Sequence, residues 1–213
     1  YSYNERRSEM KGNLYIVSSP AGGGKTTIIN LLLEELPFLR RVITYTSRQK
    51  RKNEIDGVDY IFVKKEEFEK LIKEDAFLEY ALVHGNYYGT PKKDVFQLLE
   101  KGYDVVLVID VQGMKQVKQL YPEVITIFIL PPSLEELVNR MKLRGESDQE
   151  IEKRLNTAKR EIPFWKEYDY VVVNDNLIQA KDQIKCIITA ERCRVSRFDL
   201  DNIKDESLRV LMI

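Results

Sequence analysis

Apolar residues in this chain fall into short unbroken blocks, separated by stretches in which they recur every three or four positions. Residues 14–17, 105–109, 125–130 and 170–173 are such blocks, rich in β-branched side chains and of strand length. After the first block, Ile28, Ile29, Leu32, Leu33 and Leu36 follow helical spacing over residues 25–36, and Pro37 ends the run. Residues 114–121 can make a crossover helix between the second and third blocks. Pro131-Pro132 stops the third, and Ser133 with Glu136 predicts a capping box opening the next helix. A further helix is expected around residues 177–192. Blocks apolar on both faces, alternating with helices, predict an α/β fold whose parallel sheet is covered on both sides.

Two stretches break the rhythm. Between residues 42 and 83 the predicted strands (42–46, 58–63, 77–83) are short, aromatic and half polar, which suits a small, partly exposed sheet inserted into the core. Residues 139–160 are highly charged, helical by propensity and interrupted at Gly145, which reads as a mobile helical segment. Phe164 and Trp165, after Pro163, are expected to anchor its end. Residues 1–11 form a polar, charged tail, and the mixed residues 194–213 form a second tail to which the sequence assigns no role.

Composition narrows the partners. Lysine plus arginine number 34, as do aspartate plus glutamate, so no global charge draws the protein to nucleic acid or to an anionic membrane. An anion site must come from local clustering. No apolar run approaches the roughly 18 residues of a membrane span, and Cys186 and Cys193 read as reduced thiols rather than a disulfide framework. The expectation is a single-core cytoplasmic protein. His84, the one histidine, reads as a turn residue beside Gly85, and no Cys, His and carboxylate cluster has zinc-ligand spacing.

The strongest local chemistry lies between the first strand and first helix: Ser19, Pro20, Ala21, Gly22, Gly23, Gly24, Lys25, Thr26, Thr27. A triphosphate must be held by many donors. Glycines let successive backbone N–H groups turn toward one anion, and the helix N-terminus adds its dipole. Lys25 supplies a mobile positive charge, and the Thr26 hydroxyl can bind Mg²⁺. The strict pattern begins with glycine where this chain has Ser19, but the glycine run and its Gly-Lys-Thr end remain.

A second series follows. Thr44-Tyr45-Thr46-Ser47-Arg48-Gln49-Lys50-Arg51 sets two arginines three apart after a hydroxyl-rich strand. Then come Asp56-Gly57-Val58-Asp59-Tyr60, Phe77-Leu78-Glu79-Tyr80, Gly85-Asn86-Tyr87-Tyr88-Gly89-Thr90 and Ile109-Asp110-Val111-Gln112-Gly113. From the residues alone, arginine forks suit phosphate, and a carboxylate in an aromatic strand needs a partner. Arg48 and Arg51 could also be a solvated strand end, Glu79 an outward-facing residue, and Tyr60 and Tyr88 packing aromatics like Tyr87.

This ordered series behind a phosphate loop resembles the guanylate kinase family, of bacterial type, over about residues 14–191. The resemblance implies a P-loop nucleotide kinase fold over residues 12–193, with a GMP-binding insert (44–98) and a helical lid (139–166). It implies ATP:GMP phosphotransfer with Mg²⁺, with GMP and dGMP as acceptors, serving purine nucleotide metabolism. Arg48, Arg51, Tyr60 and Tyr88 match the clamp on the GMP phosphate, while Thr44, Glu79 and Thr90 fall among guanine-recognising positions. Asp110 matches a carboxylate used near the guanine edge or the metal. Arg140, Arg144 and Arg154 match lid arginines that, with Lys25, serve the transferring phosphate, and Asn174-Asp175 matches a motif near adenine. The chain departs from the family at Val108, where many members carry a second carboxylate, so Mg²⁺ would rest mainly on Thr26, phosphates and water.

Two other readings compete. A non-catalytic scaffold module of the same fold tends to lose the phosphate loop, which is intact here. A kinase of another nucleotide is disfavoured by Thr44, Glu79 and Thr90. The partners implied are ATP and GMP, with no nucleic acid or membrane, and the protein as either monomer or homodimer.

Overall fold

The computed structural model describes residues 12–20, 23–83, 85–198, 200 and 203–212. The tail at 1–11, the loop residues Ala21 and Gly22, and His84 lie outside the described residues.

In chain order the elements are β1 (Leu14–Ser18), α1 (Lys25–Glu35), β2 (Leu39–Arg41), β3 (Tyr45–Thr46), β4 (Ile61–Phe62), α2 (Lys65–Lys73), β5 (Phe77–Val83), β6 (Asn86–Pro91), α3 (Lys92–Glu100) and β7 (Asp104–Val108). There follow α4 (Val111–Leu120), β8 (Ile125–Leu130), α5 (Leu134–Leu143), α6 (Asp148–Glu161), a 3₁₀ turn (Ile162–Glu167), β9 (Tyr170–Val173), α7 (Leu177–Arg192) and, beyond the short turn Val195–Arg197, α8 (Glu206–Met212).

One sheet has the order β2-β7-β1-β8-β9, and every pairing in it is parallel. Its central strands β7, β1 and β8 are buried on both faces, which is why they are apolar without alternation. Leu14 and Ile16 of β1 join Val105, Leu107 and Phe128 beneath α3 and α4. Tyr15 and Val17 turn the other way, to Val106, Ile127 and Ile129 beneath α1 and α7. The central strands therefore end together, and the loops after β1, β7 and β9 meet at one edge.

A second sheet, β4-β3-β6-β5, is formed within residues 45–91. Here the sequence expectations need correction. The strand expected at 42–46 shortens to Tyr45–Thr46, in the small sheet, and just before it an unpredicted strand, Leu39–Arg41, forms an edge of the main sheet paired with β7. The strand expected at 58–63 shortens to Ile61–Phe62 because residues 57–60 form a turn, with Gly57 at φ 77° and its N–H donated to the Tyr60 carbonyl. β6 pairs antiparallel with both β3 and β5 and was absent from the predicted strands. Helices α2 and α3 were absent too. Val95 and Leu99 of α3 pack into the main core.

The charged stretch forms two helices broken at Gly145, which sits at φ 76°. Leu137, Met141, Ile151 and Ala158 give α5 and α6 a small core of their own. The box predicted at Ser133 is only half present: Ser133 accepts from the Glu136 N–H, but the Glu136 carboxylate takes Arg140 Nε at 2.8 Å instead. A complete box caps α6, between Ser147 and Glu150. Phe164 packs against the main core under Lys115, while Trp165 stays partly exposed.

Candidate active site

The phosphate loop leaves β1 through Ser19, buried with its hydroxyl donated to the Pro20 carbonyl. Gly23 closes a turn by donating its N–H to the Pro20 carbonyl at 3.0 Å. Gly24 takes a left-handed φ of 88° and caps α1. A side chain there would be strained twice over, because its Cβ would lie 2.4 Å from Asn174 Nδ2. Asn174 is 3% exposed and donates that amide to the Gly23 carbonyl at 2.9 Å. Its own N–H goes to Leu130 and its carbonyl accepts Arg140 Nη2 at 3.0 Å. Asn174 thus braces the loop from behind, whereas Asp175 beside it is exposed.

Lys25 folds back on the loop, its Nζ donating to the Ser19 carbonyl at 3.2 Å. Burial lowers its pKa, opposed by Glu161 and Asp110 and reinforced by Arg144 and Arg154. A partly buried ammonium surrounded by both signs of charge is held near where a phosphate would sit. Thr26 and Thr27 open toward the same space, a cleft of about 650 Å³.

The far wall of that cleft is α6. Glu150, Lys153, Arg154 and Thr157 line it together with Arg144 from the end of α5. These positions recur every three or four residues, so one face of the helix looks down on the loop. Glu161 continues the face by one more turn, and burial with the nearby Asp110 raises its pKa. Sequence reasoning singled out Arg144 and Arg154 on this wall and missed Glu150, Lys153, Thr157 and Glu161, although the helical spacing was there to find them. Arg140 is elsewhere, held by Glu136 and the Asn174 carbonyl. Arg154 pairs with Glu146 at 2.9 Å.

On the small sheet, Glu79 and Thr90 face one another across β5 and β6. Thr90 donates its hydroxyl to Glu79 Oε1 at 2.6 Å, and both are buried, at 2% and 6% exposure. Burial pushes the Glu79 carboxyl up to about 7, against the Thr90 bond, with Asp110 adding to the rise. Asp110 caps α4, its Oδ1 accepting the Gly113 N–H at 2.8 Å. It stands within electrostatic reach of Lys25 and of Glu79, and so links the two halves of the site.

Arg48 lies under the rings of Tyr60 and Phe62 and pairs with Glu54 at 2.6 Å. The same carboxylate accepts the Arg51 N–H at 2.8 Å, which ties the loop carrying both arginines. Glu54 and then Tyr88 favour the charged guanidinium of Arg48. Tyr60 and Tyr88 meet edge to face. The Arg51 side chain is exposed, and Thr44 is half-buried. Tyr87 stacks on Phe68, a packing aromatic. Glu54 was not among the predicted site residues; its place three residues after Arg51 was the available signal.

A parallel sheet that ends in a glycine loop and a partly buried lysine, beneath an arginine-bearing helical flap, is the architecture of a P-loop phosphotransferase. Residues 11–191 match the guanylate kinase family model. The chain belongs to the guanylate kinase family and is a nucleoside monophosphate kinase. It is 50% identical over 188 residues to the guanylate kinase of Caldanaerobacter subterraneus subsp. tengcongensis, covering 88% of this chain and 91% of that relative. The guanylate kinase of Clostridium tetani is 50% identical over 199 residues, 93% of each chain. Among solved structures, the guanylate kinase from Anaplasma phagocytophilum aligns over 88% of this chain and 90% of its own, with a TM-score of 0.73 and 36% identity. No helix among the described residues is long and apolar enough to cross a membrane.

Proposed function

We propose that this cleft carries out the family reaction, ATP + GMP to ADP + GDP, with the phosphate loop holding ATP and the small sheet holding GMP. The observation that carries the base assignment is the buried Glu79–Thr90 pair. Guanine presents two adjacent donors, N1–H and the 2-amino group, and Glu79 is a carboxylate braced by one hydroxyl with acceptor capacity left over. Adenine lacks both donors and would leave that carboxylate desolvated and unpaired. Thr44 would add a hydroxyl at the base, and Arg48, Arg51, Tyr60 and Tyr88 would hold the GMP phosphate. Arg48 is already oriented by Glu54, so little side-chain entropy is lost on binding.

The GMP phosphate is itself the nucleophile, so transfer needs positioning and charge neutralisation more than a protein base. Lys25 would follow the β- and γ-phosphates, Gly23, Gly24 and the start of α1 would donate backbone N–H groups, and Arg144 and Arg154 would come down from the lid. Arg140 and Asn174 act through the loop they brace. Thr26, exposed to the cleft in the first turn of α1, fits Mg²⁺ bound through its hydroxyl, the phosphates and water. Asp110 has one carboxylate oxygen engaged by Gly113, and Val108 offers no ligand. When bound, Mg²⁺ supplies charge neutralisation at the β/γ-phosphates.

The acceptor dGMP carries the same base and phosphate, and the reading extends to it. The nucleotide substrates and the free thiols Cys186 and Cys193 support a place in purine metabolism in a reducing cytoplasm. A coupled ADP-release assay across AMP, GMP, CMP and UMP tests the proposal. Turnover confined to GMP is expected, and comparable turnover of AMP would sink the role given to Glu79.

A further inference from the structure

β5 is an edge strand of the small sheet, paired on one side only, with β6. Its other side runs against α4 of the core. There Gln116 makes two hydrogen bonds to a single residue: the Tyr80 N–H donates to Oε1 at 3.1 Å, and Nε2 donates to the Tyr80 carbonyl at 3.0 Å. One carboxamide thus stands in for a neighbouring strand, satisfying both outward groups of that residue. One helical turn earlier, Gly113 approaches so closely that an added Cβ would lie 3.1 Å from Glu79 Oε2. Helix α4 therefore grips β5 at two consecutive residues, the Glu79 carboxylate and the Tyr80 backbone.

The ladder on the β6 side is irregular at this point. Its register shifts between Phe77 and Glu79, the signature of a bulge just before the carboxylate. A bulge re-aims the side chains that follow it, and Glu79 has no regular pairing immediately upstream to set its direction. Successive strand residues point to opposite faces, so fixing the Tyr80 peptide groups fixes the direction in which Glu79 leaves the backbone. Beyond Tyr80, Leu82 and Val83 are exposed and the strand runs out from the core.

We propose that Gln116 is a positioning residue for base recognition, holding the Tyr80 backbone so that the Glu79 carboxylate is aimed at the guanine edge. The inference rests on Glu79 reading guanine. Gln116 touches no substrate; it acts through the strand. Its loss therefore changes which base is accepted and how well, and leaves the phosphate loop alone.

The test compares Gln116→Met, which keeps length and removes both bonds, and Gln116→Glu, which keeps the acceptor and removes the donor, with Glu79→Gln. Each is assayed for KM and kcat with ATP, GMP and IMP, whose base retains N1–H but lacks the 2-amino group. For Gln116→Met, the KM for GMP should rise about tenfold with the KM for ATP within twofold. The GMP-over-IMP ratio of kcat/KM should shrink severalfold, because a misaimed carboxylate loses its second bond first. Gln116→Glu should fall between the wild type and Gln116→Met. A lowered melting temperature with an unchanged GMP-over-IMP ratio, or equal damage to ATP and GMP, would overturn the proposal. If Glu79→Gln collapses the ratio while Gln116→Met does not, Gln116 alone is excluded. If Glu79→Gln leaves the ratio intact, the underlying reading of Glu79 fails instead.

Discussion

Asn174 and Gly23, 151 positions apart in the chain, are joined by a buried 2.9 Å hydrogen bond that braces the phosphate loop from the end of β9. Its carbonyl also accepts Arg140, so one residue connects loop, sheet and the first lid helix. Asn174→Ala would leave the Gly23 carbonyl without its partner, a cost of about 1–3 kcal/mol. The variant should melt on the order of 5 °C lower, and its affinity for an ATP analogue should fall by roughly tenfold as the loop loosens. Calorimetric titration and a thermal melt check this. An unchanged affinity would mean that the loop holds its shape without the brace.

Lys25 donates a hydrogen bond to the Ser19 carbonyl and is held at a lowered pKa by burial. Removing a partly buried cation should cost the fold little, so Lys25→Ala is expected to melt close to the wild type. Turnover is another matter, because the charge is aimed at the transferring phosphoryl group. We expect kcat to drop by roughly 10²-fold or more. Near wild-type turnover in the folded variant would remove the phosphate-loop assignment.

How much of this was legible beforehand depended on how each residue is buried. The strands at 14–17 and 125–130 could be read because burial on both faces demands unbroken apolar runs; 170–173 is equally apolar, although Val171 and Val173 stay exposed on this edge strand. β2 could not: as an edge strand it carries Arg40 and Arg41, and Arg40 lies over the Tyr103 ring rather than in a core. Helix α2 could have been found, since Phe68, Leu71 and Ile72 follow helical spacing, but the surrounding aromatic, half-polar pattern favoured strands. In the lid, any one charge on a solvated helix looks like any other, so Lys153 and Glu161 did not stand out from Lys159 or Arg160. Asn174 was singled out from a motif, yet its tie to Gly23 exists only once the chain is folded.

Arg144 and α6 form the wall of the cleft opposite the phosphate loop, and α5 with α6 has its own small core in Leu137, Met141, Ile151 and Ala158. Such a unit can move as one body. We predict that an ATP analogue and GMP together protect the amides of residues 139–161 from hydrogen exchange far more than either ligand alone. Full closure needs charge from both substrates, and it keeps water from the phosphoryl group. Equal protection in the free and doubly liganded protein would rule out a closing lid.

The final prediction concerns Glu79, whose carboxyl is pushed up to about 7 by burial. A folded-state pKa above the ordinary 4.5 means that the empty protein holds a proton the unfolded chain releases. Its stabilising contribution is therefore full at low pH and is lost as pH rises through 7, a difference of about 3 kcal/mol by the alkaline end. Guanine reverses the preference, because its two donors favour the ionised carboxylate. GMP binding should then expel the proton, and affinity should strengthen from pH 6 to pH 8 before levelling. Glu79→Gln removes both effects: the variant should be more stable than the wild type at pH 8, yet its kcat/KM for GMP should fall by about two orders of magnitude. The amide retains an acceptor oxygen but presents an NH₂ toward a donor. Ionisation of the GMP phosphate near pH 6 is common to both proteins, so the decisive quantity is the difference between their pH profiles for GMP affinity. Parallel profiles, with GMP kinetics intact in Glu79→Gln, would make Glu79 a structural strand residue and move guanine recognition elsewhere in the cleft.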